Sequence, residues 1–317
     1  LSLLEGAPRP TLTVRMELDP EGDVLSVEVH PSRLTSSRRL EYDEADALMR
    51  DPASDSLSSM LRAASRLAAR LLKRRQQRGA LALFDLERGV ATSEDGLIRR
   101  LEDPYRYHSH LLIQELMILT NQVVAERMAR NGVPILFRNH AARAIAPGRD
   151  KLVAELANTL ASPETFPLET LEERLQLVLE RARYDPRLEG HFALNLPAYA
   201  HFTSPIRRYA DLVNQRVVTA ALAGQPCPYS FDELDELAGQ VNEAYARYRE
   251  HRAMVLKQKA KLRRPSYTYG CSRDGDHTCT CTLRNGARTF TGVGHGSRKP
   301  IAKQAAARSV LDQLDEV

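Results

Sequence analysis

Cysteine is scarce in this chain of 317 residues, with four present: Cys227, Cys271, Cys279 and Cys281. So few thiols argue against a disulfide-dense secreted scaffold and fit a reducing, cytoplasmic setting. No apolar run approaches the roughly 20 residues needed to span a bilayer, so no membrane segment is expected. The start, Leu1 to Pro10, lacks the basic-then-apolar order of a secretory signal. Internal repeats, low-complexity tracts and flexible linkers are also missing. The first residue is leucine rather than methionine, which implies a fragment, a trimmed polypeptide or a processed product.

What is present is ordinary in amount and uneven in placement. The chain is 27% charged and 43% hydrophobic, typical of a globular protein long enough for two domains. The formal net charge is +4. Residues 252–317 hold 13 Lys and Arg against 5 Asp and Glu, a net of +8, and the other residues hold 32 against 36, a net of −4. Opposite signs predict two modules, 1–251 and 252–317, the second a candidate binder of polyanions.

Periodicity gives an α+β reading. Thr11 to Val29 alternates like a β-hairpin around Asp19-Pro20-Glu21-Gly22-Asp23. From Asp43 to about Gln77 the period turns helical, with Leu57, Leu61, Ala64, Leu67, Leu71 and Leu72 on one stripe. A short strand is expected over Ala80–Leu86. Helices are expected over Ser109–Asn131, Asp150–Ala161, Leu168–Arg183, Asp211–Ala223 and Phe231–Lys261. The tail reads as three strands, Tyr267–Gly270, Thr278–Leu283 and Thr289–Thr291, followed by a helix over Pro300–Leu314.

The run from Gly190 to Asp211, GHFALNLPAYAHFTSPIRRYAD, carries the most information. Arg207 and Arg208 follow a Pro-Ile turn at the start of a helix, where backbone N–H groups and a guanidinium are offered to a phosphate. The run resembles the RNB signature of the ribonuclease II/R family. Four further blocks match in order: Leu34–Tyr42, Arg78–Leu81, Ser109–Leu119 and Pro134–His140. Together they cover about Leu1 to Met254. The resemblance implies a hydrolytic 3′-to-5′ exoribonuclease that releases nucleoside 5′-monophosphates from single-stranded 3′ ends. It implies that Arg207 stabilises charge at the scissile phosphate. It implies an RNA channel touched by Tyr42, Phe84, Glu115 and Arg208, with Glu115 on the terminal ribose. Read alone, Glu115 is a solvent-facing helix residue and Phe84 an equally good core residue, its spacing offset from the family's. His201, Thr203 and Ser204 are expected to shape the turn, and Tyr209 is left as core or ligand-facing. Ala193 and Gln114 depart from the family, which has a glycine and a second glutamate there.

The family's Mg²⁺ is held by closely spaced aspartates. The resemblance places them upstream of the region matching Leu1–Pro10, so no metal ligand is assigned in this chain. Asp43/Asp46 and Asp232/Asp235 read as helical surface pairs and no substitute. The 317 residues alone are therefore expected to be inactive.

From Arg252 onward the order helix, three strands, helix resembles the α-β-β-β-α double-stranded-RNA-binding domain. Leu256, Leu262, Pro265 and Tyr267 carry the likeness early on. Gly275-Asp276-His277 resembles the loop that reaches a minor groove, and Gly294 to Ala307 the glycine-rich turn into the last helix. The resemblance implies that His277, Arg298, Lys299 and Lys303 contact duplex RNA. Pro300 replaces the second lysine of the family's pair, and Arg298 is the candidate compensation. Val255 stands where a polar residue is common, with Arg252 or Gln258 as candidates instead. Cys271, His277, Cys279 and Cys281 invite a zinc reading, but alternation puts Cys279, Cys281 and Leu283 on one strand face and no CxxC pair exists. Three readings remain: an exoribonuclease, a catalytically inactive RNA-binding regulator on an RNB scaffold, and a protein-contact scaffold. Oligomeric state is not legible.

Overall fold

The computed structural model describes residues 3–315 except 52–54, 83, 87–88, 94–96, 102–106, 144–148, 162–167, 262–264, 272–276 and 286–287. The chain divides into two compact units, Leu1–Asn242 and Glu243–Val317. Among the described residues no helix is long and apolar enough to cross a membrane.

The first unit opens with the antiparallel hairpin β1 (Pro8–Leu18) and β2 (Val24–Thr35). Its turn is closed by Asp19, whose carboxylate accepts from the Asp23 N–H at 2.7 Å, and by Gly22 at φ +89°. The single helix expected over 43–77 is two, α1 (Tyr42–Arg50) and α2 (Ser56–Gln77). The sequence has a proline at 52, which cannot donate to a helix. Asp55 then restarts the helix by accepting from the Ser58 N–H at 2.6 Å.

The strand expected over 80–86 shrinks to β3 (Phe84–Asp85), which joins β4 (Val90–Thr92) and β5 (Ile98–Arg100). Leu81 and Ala82 instead donate to the Ala193 carbonyl. Helix α3 (His108–Arg130) runs through the unit and buries side chains on several faces. Strand β6 (Phe137–Asn139) pairs with β7 (Arg183–Asp185), and α4 (Arg149–Ala161) and α5 (Leu168–Val178) lie between them in sequence. The expected helix 168–183 therefore ends five residues early, and its last residue, Arg183, opens β7 instead. Then come α6 (Tyr209–Leu222) and α7 (Phe231–Lys261). One apolar cluster joins Leu72, Leu112, Ile118, Leu156, Leu175 and Tyr199, and another joins Val124, Met128, Ile135, Phe202 and Val217. Helix α3 contributes to both.

The second unit begins within α7, at Glu243, and continues as the meander β8 (Ser266–Cys271), β9 (His277–Asn285) and β10 (Arg288–Gly296), followed by α8 (Lys299–Asp315). All three strands are longer than alternation alone indicated. Cys279, Cys281 and Leu283 face Ala302, Ala306 and Val310, a buried core of small residues. Gly294–Gly296 was expected in a turn and belongs to β10. Added Cβ atoms at Gly292 and Gly296 would meet Ala306 O at 2.5 Å and Ile301 Cγ2 at 2.6 Å. Glycine here lets strand and helix backbones approach closely.

Candidate nucleic-acid interface

Tyr42 is the first residue of α1, and His110 lies in the first turn of α3. Their rings stack at 3.7 Å between centroids with a 19° interplanar angle. Two bonds fasten these helix starts together. Asp46 Oδ1 accepts from the Ser109 N–H at 2.8 Å, and Ser109 Oγ donates to the Tyr42 carbonyl at 3.2 Å. Asp46 was expected on the surface and is 2% exposed. It caps α3 from a neighbouring helix, so burial follows from tertiary capping that a pattern within α1 cannot show.

The stacked pair borders a cavity of about 430 Å³, also lined by Arg99, Gln114, Met117 and Tyr199. Positions 110, 114 and 117 form one side of α3. Glu115 lies on another side, 1% exposed, and its carboxylate takes Nε of Arg75 at 2.9 Å and Nη2 at 2.5 Å. It lines a separate cleft of about 510 Å³ with Arg74, Arg78 and Arg130. The solvent-facing reading of Glu115 from its own residue pattern is thus overturned, because a buried arginine on α2 compensates it. Phe84 is placed on β3, and its side chain lies outside the described residues.

Tyr199 leads from the Tyr42 cavity toward the arginine turn. Its hydroxyl accepts from Asn121 Nδ2 at 3.1 Å, and Asn121 Oδ1 accepts from the Phe202 N–H at 3.0 Å. The turn is built on Asp211, fully buried, whose Oδ1 accepts from the Ser204 N–H at 2.7 Å. The same carboxylate takes Nε and Nη2 of Arg208, each at 2.8 Å. Burial alone would lower the Arg208 pKa, but the hydrogen bonds and charge of Asp211 outweigh it and raise the pKa above the usual arginine value. Arg208 is thereby held within the protein. Arg207, its neighbour, is exposed, with a 3.4 Å contact to Ser204 Oγ. The two arginines thus divide the work, one fixing the turn and one presented by it. His201 Nδ1 meets the Tyr184 hydroxyl at 2.6 Å, and Tyr209 is half exposed.

In the second unit Arg298 and Lys299 are exposed where α8 begins, and the Ala302 N–H donates to the Arg298 carbonyl at 3.1 Å. Lys303, one turn on, holds its ammonium 4.6 Å from the centre of the Tyr267 ring. Three cations therefore share the start of one helix, where the macrodipole also favours an anion. His277 opens β9, and Gly275 and Asp276 lie outside the described residues.

Among the described residues no three His, Cys, Asp or Glu side chains stand together as a metal site. The buried carboxylates stand apart: Glu115 is paired with Arg75 and Asp211 with Arg208, while Asp46 takes the Ser109 N–H on Oδ1 and its unpartnered Oδ2 belongs to no such cluster among the described residues. These donors do not fit a magnesium centre. Sequence reasoning missed His110, Tyr199, Arg99 and Arg75. For Arg75 a signal existed, because positions 68, 71, 72 and 75 lie on the apolar stripe of α2 and a cation there requires a buried anion.

Comparison with known proteins agrees with this architecture. The chain is 32% identical over 248 residues to ribonuclease R of Thermotoga maritima, covering 68% of this chain and 34% of that protein. It thus spans about a third of the length of that curated relative. Among solved structures, the apo form of Mycoplasma genitalium ribonuclease R matches with a TM-score of 0.60 at 20% identity, over 92% of this chain and 50% of that one. The same enzyme in complex with double-stranded RNA matches with a TM-score of 0.58 at 21% identity, over 92% and 57%. Yeast Ssd1, a pseudonuclease, matches with a TM-score of 0.61 at 21% identity, over 90% and 39%. A family model described as the RNB domain matches residues 1–224, most of the chain, and the chain belongs to the RNB-domain family.

Proposed function

We propose that this chain is the RNA-gripping part of a 3′-to-5′ hydrolytic exoribonuclease of the ribonuclease II/R type, releasing nucleoside 5′-monophosphates. The observation that carries this reading is the division of labour in the Ser204–Asp211 turn. A buried carboxylate fixes one arginine so that Arg207 is offered outward, as a phosphate ligand must be. The Tyr42–His110 pair supplies an aromatic face beside a cavity of about 430 Å³, suited to a terminal nucleotide. In this reading Gln114, on the cavity side of α3, faces the ribose. Glu115 acts by holding Arg75.

Magnesium enters by resemblance only. It would supply an activated water and neutralise charge at the phosphate. With no fitting donor set among the described residues, no step is assigned to it, and the 317 residues alone are taken to bind RNA without hydrolysing it. A second reading, an inactive RNA binder on an RNB scaffold, rests on that same donor set.

A single-stranded RNA with 2-aminopurine at its 3′ end provides the test of the first unit. Binding should quench the fluorescence, and Tyr42→Ala should abolish the quench. A quench unchanged by Tyr42→Ala would remove Tyr42 from the site.

We also assign the second unit to duplex RNA, as an α-β-β-β-α double-stranded-RNA-binding domain that holds structured substrate while a 3′ end is threaded. Its cations at the start of α8 would straddle phosphates across a narrow A-form groove. Lys299→Ala/Lys303→Ala should weaken duplex binding and reduce the slope of log K against log salt by about 2. An unchanged slope would refute the phosphate contacts.

A further inference from the structure

Helix α2 contains six basic residues and no acidic one. The long helix α7 has six of each. Two of the six cations in α2 are used internally, Arg75 by Glu115 and Arg74 by an ion pair with Asp23. The other four, Arg62, Arg66, Arg70 and Lys73, fall within an arc of about 80° at helical spacing. They lie opposite the buried Ala68, Leu71 and Leu72. Arg66, Arg70 and Lys73 are exposed. Arg62 donates to the Asp51 carbonyl at 2.7 Å and lies close enough to the Asp55 carboxylate to help lower its pKa, and Arg70 donates to the Pro20 carbonyl at 3.1 Å, so the charge offered outward comes chiefly from Arg66, Arg70 and Lys73.

The stripe also has a concave end. Arg50, Arg62, Arg66 and His108 line a cleft of about 320 Å³ over the buried Asp46. Met49 lines this cleft and an adjoining one that Tyr42 and His110 also line. The concave end thus meets, across Met49, a cleft in which Arg39, Glu41 and Asp43 stand beside the aromatic pair.

We infer that the exposed face of α2 is a second RNA-binding surface, a track for the phosphodiester backbone upstream of the 3′ end. The inference rests on the reading that Tyr42 seats that end. Arg62, Arg66 and Arg70 advance about 6 Å per step along the helix, which offers charges in series to a strand of successive phosphates. Guanidinium groups match phosphate geometry, and single-sign charge without acids repels nothing on a polyanion. A lipid surface fits less well, because an interfacial helix needs its apolar face free for the bilayer and that of α2 is packed in the core.

The test uses the whole chain and two 2-aminopurine-tailed RNAs, a trinucleotide and a strand long enough to cover α2. Arg66→Ala/Arg70→Ala/Lys73→Ala should lower the salt slope for the long strand by about 2. Trinucleotide binding and its fluorescence quench should not change. An unchanged slope for the long strand, with normal binding by the unaltered protein, would overturn the track and leave the Tyr42 reading intact. Equal loss for both RNAs would overturn it as well, as would lost binding to phosphatidylserine vesicles with the RNA slope unchanged. Failure of the unaltered protein to bind either RNA would instead defeat the underlying reading.

Discussion

Arg75→Met should cost the first unit about 3–5 kcal/mol, because it leaves the Glu115 carboxylate buried without its cation. Both partners are almost wholly buried, so solvent offers the unpaired carboxylate little compensation. The loss also reaches the candidate site. Arg75 Nη1 donates to the Ala82 carbonyl at 2.9 Å, and the Leu81 and Ala82 N–H groups both bond to Ala193. Ala82 and Leu194 line the Tyr42 cavity, so loosening this segment should weaken nucleotide binding as well as stability. Glu115→Leu combined with Arg75→Met should recover most of the stability, since it removes both charges. Urea denaturation of the single and double variants measures this. A single variant within about 1 kcal/mol of the parent protein would mean the pair is not buried as described.

Gly294→Ala should unfold or severely loosen the second unit. Its Cβ would fall on Ala306 N and Ala302 O, both backbone atoms of α8. A flexible side chain could swing away, but a helix backbone must move as a whole. The cost should therefore lie at or above the upper end of the roughly 1–3 kcal/mol typical of overpacking. Amide exchange across α8 and β10 should accelerate, with protection retained in α3. The control is Gly270→Ala, where the nearest atom to an added Cβ is 3.9 Å away. Equal protection in α8 for Gly294→Ala and the parent protein would contradict the close packing.

These two sites show what was legible in the sequence and what was not. Alternation correctly placed Cys279, Cys281 and Leu283 in the core, since period two fixes the face. The Gly294–Gly296 pair was read as turn chemistry, because a glycine says that space is short without saying whether the neighbour is a turn or a helix. Helices α3, α6 and α7 came within about two residues of their bounds, being long and strongly periodic. The break before Asp55 was missed because the leucine stripe that carried the helical reading begins only at Leu57, beyond it, and so says nothing about continuity through Pro52. At the candidate site the GHFALNLPAYAHFTSPIRRYAD run was plain in sequence. The unequal fates of Arg207 and Arg208 were not, since they depend on which guanidinium reaches Asp211. The placement of Gln114 and Glu115 on different sides of α3 follows from a 100° step that only the position of Tyr42 makes meaningful.

Titrating the 317-residue chain with a 3′-tailed RNA duplex, with and without Mg²⁺, while following both binding and mononucleotide release, tests the central claim most directly. Binding that weakens steeply with salt, with no nucleotide released, is the predicted result. No binding at low salt would contradict RNA recognition, and Mg²⁺-dependent release by this chain alone would contradict the proposal that it binds RNA without hydrolysing it.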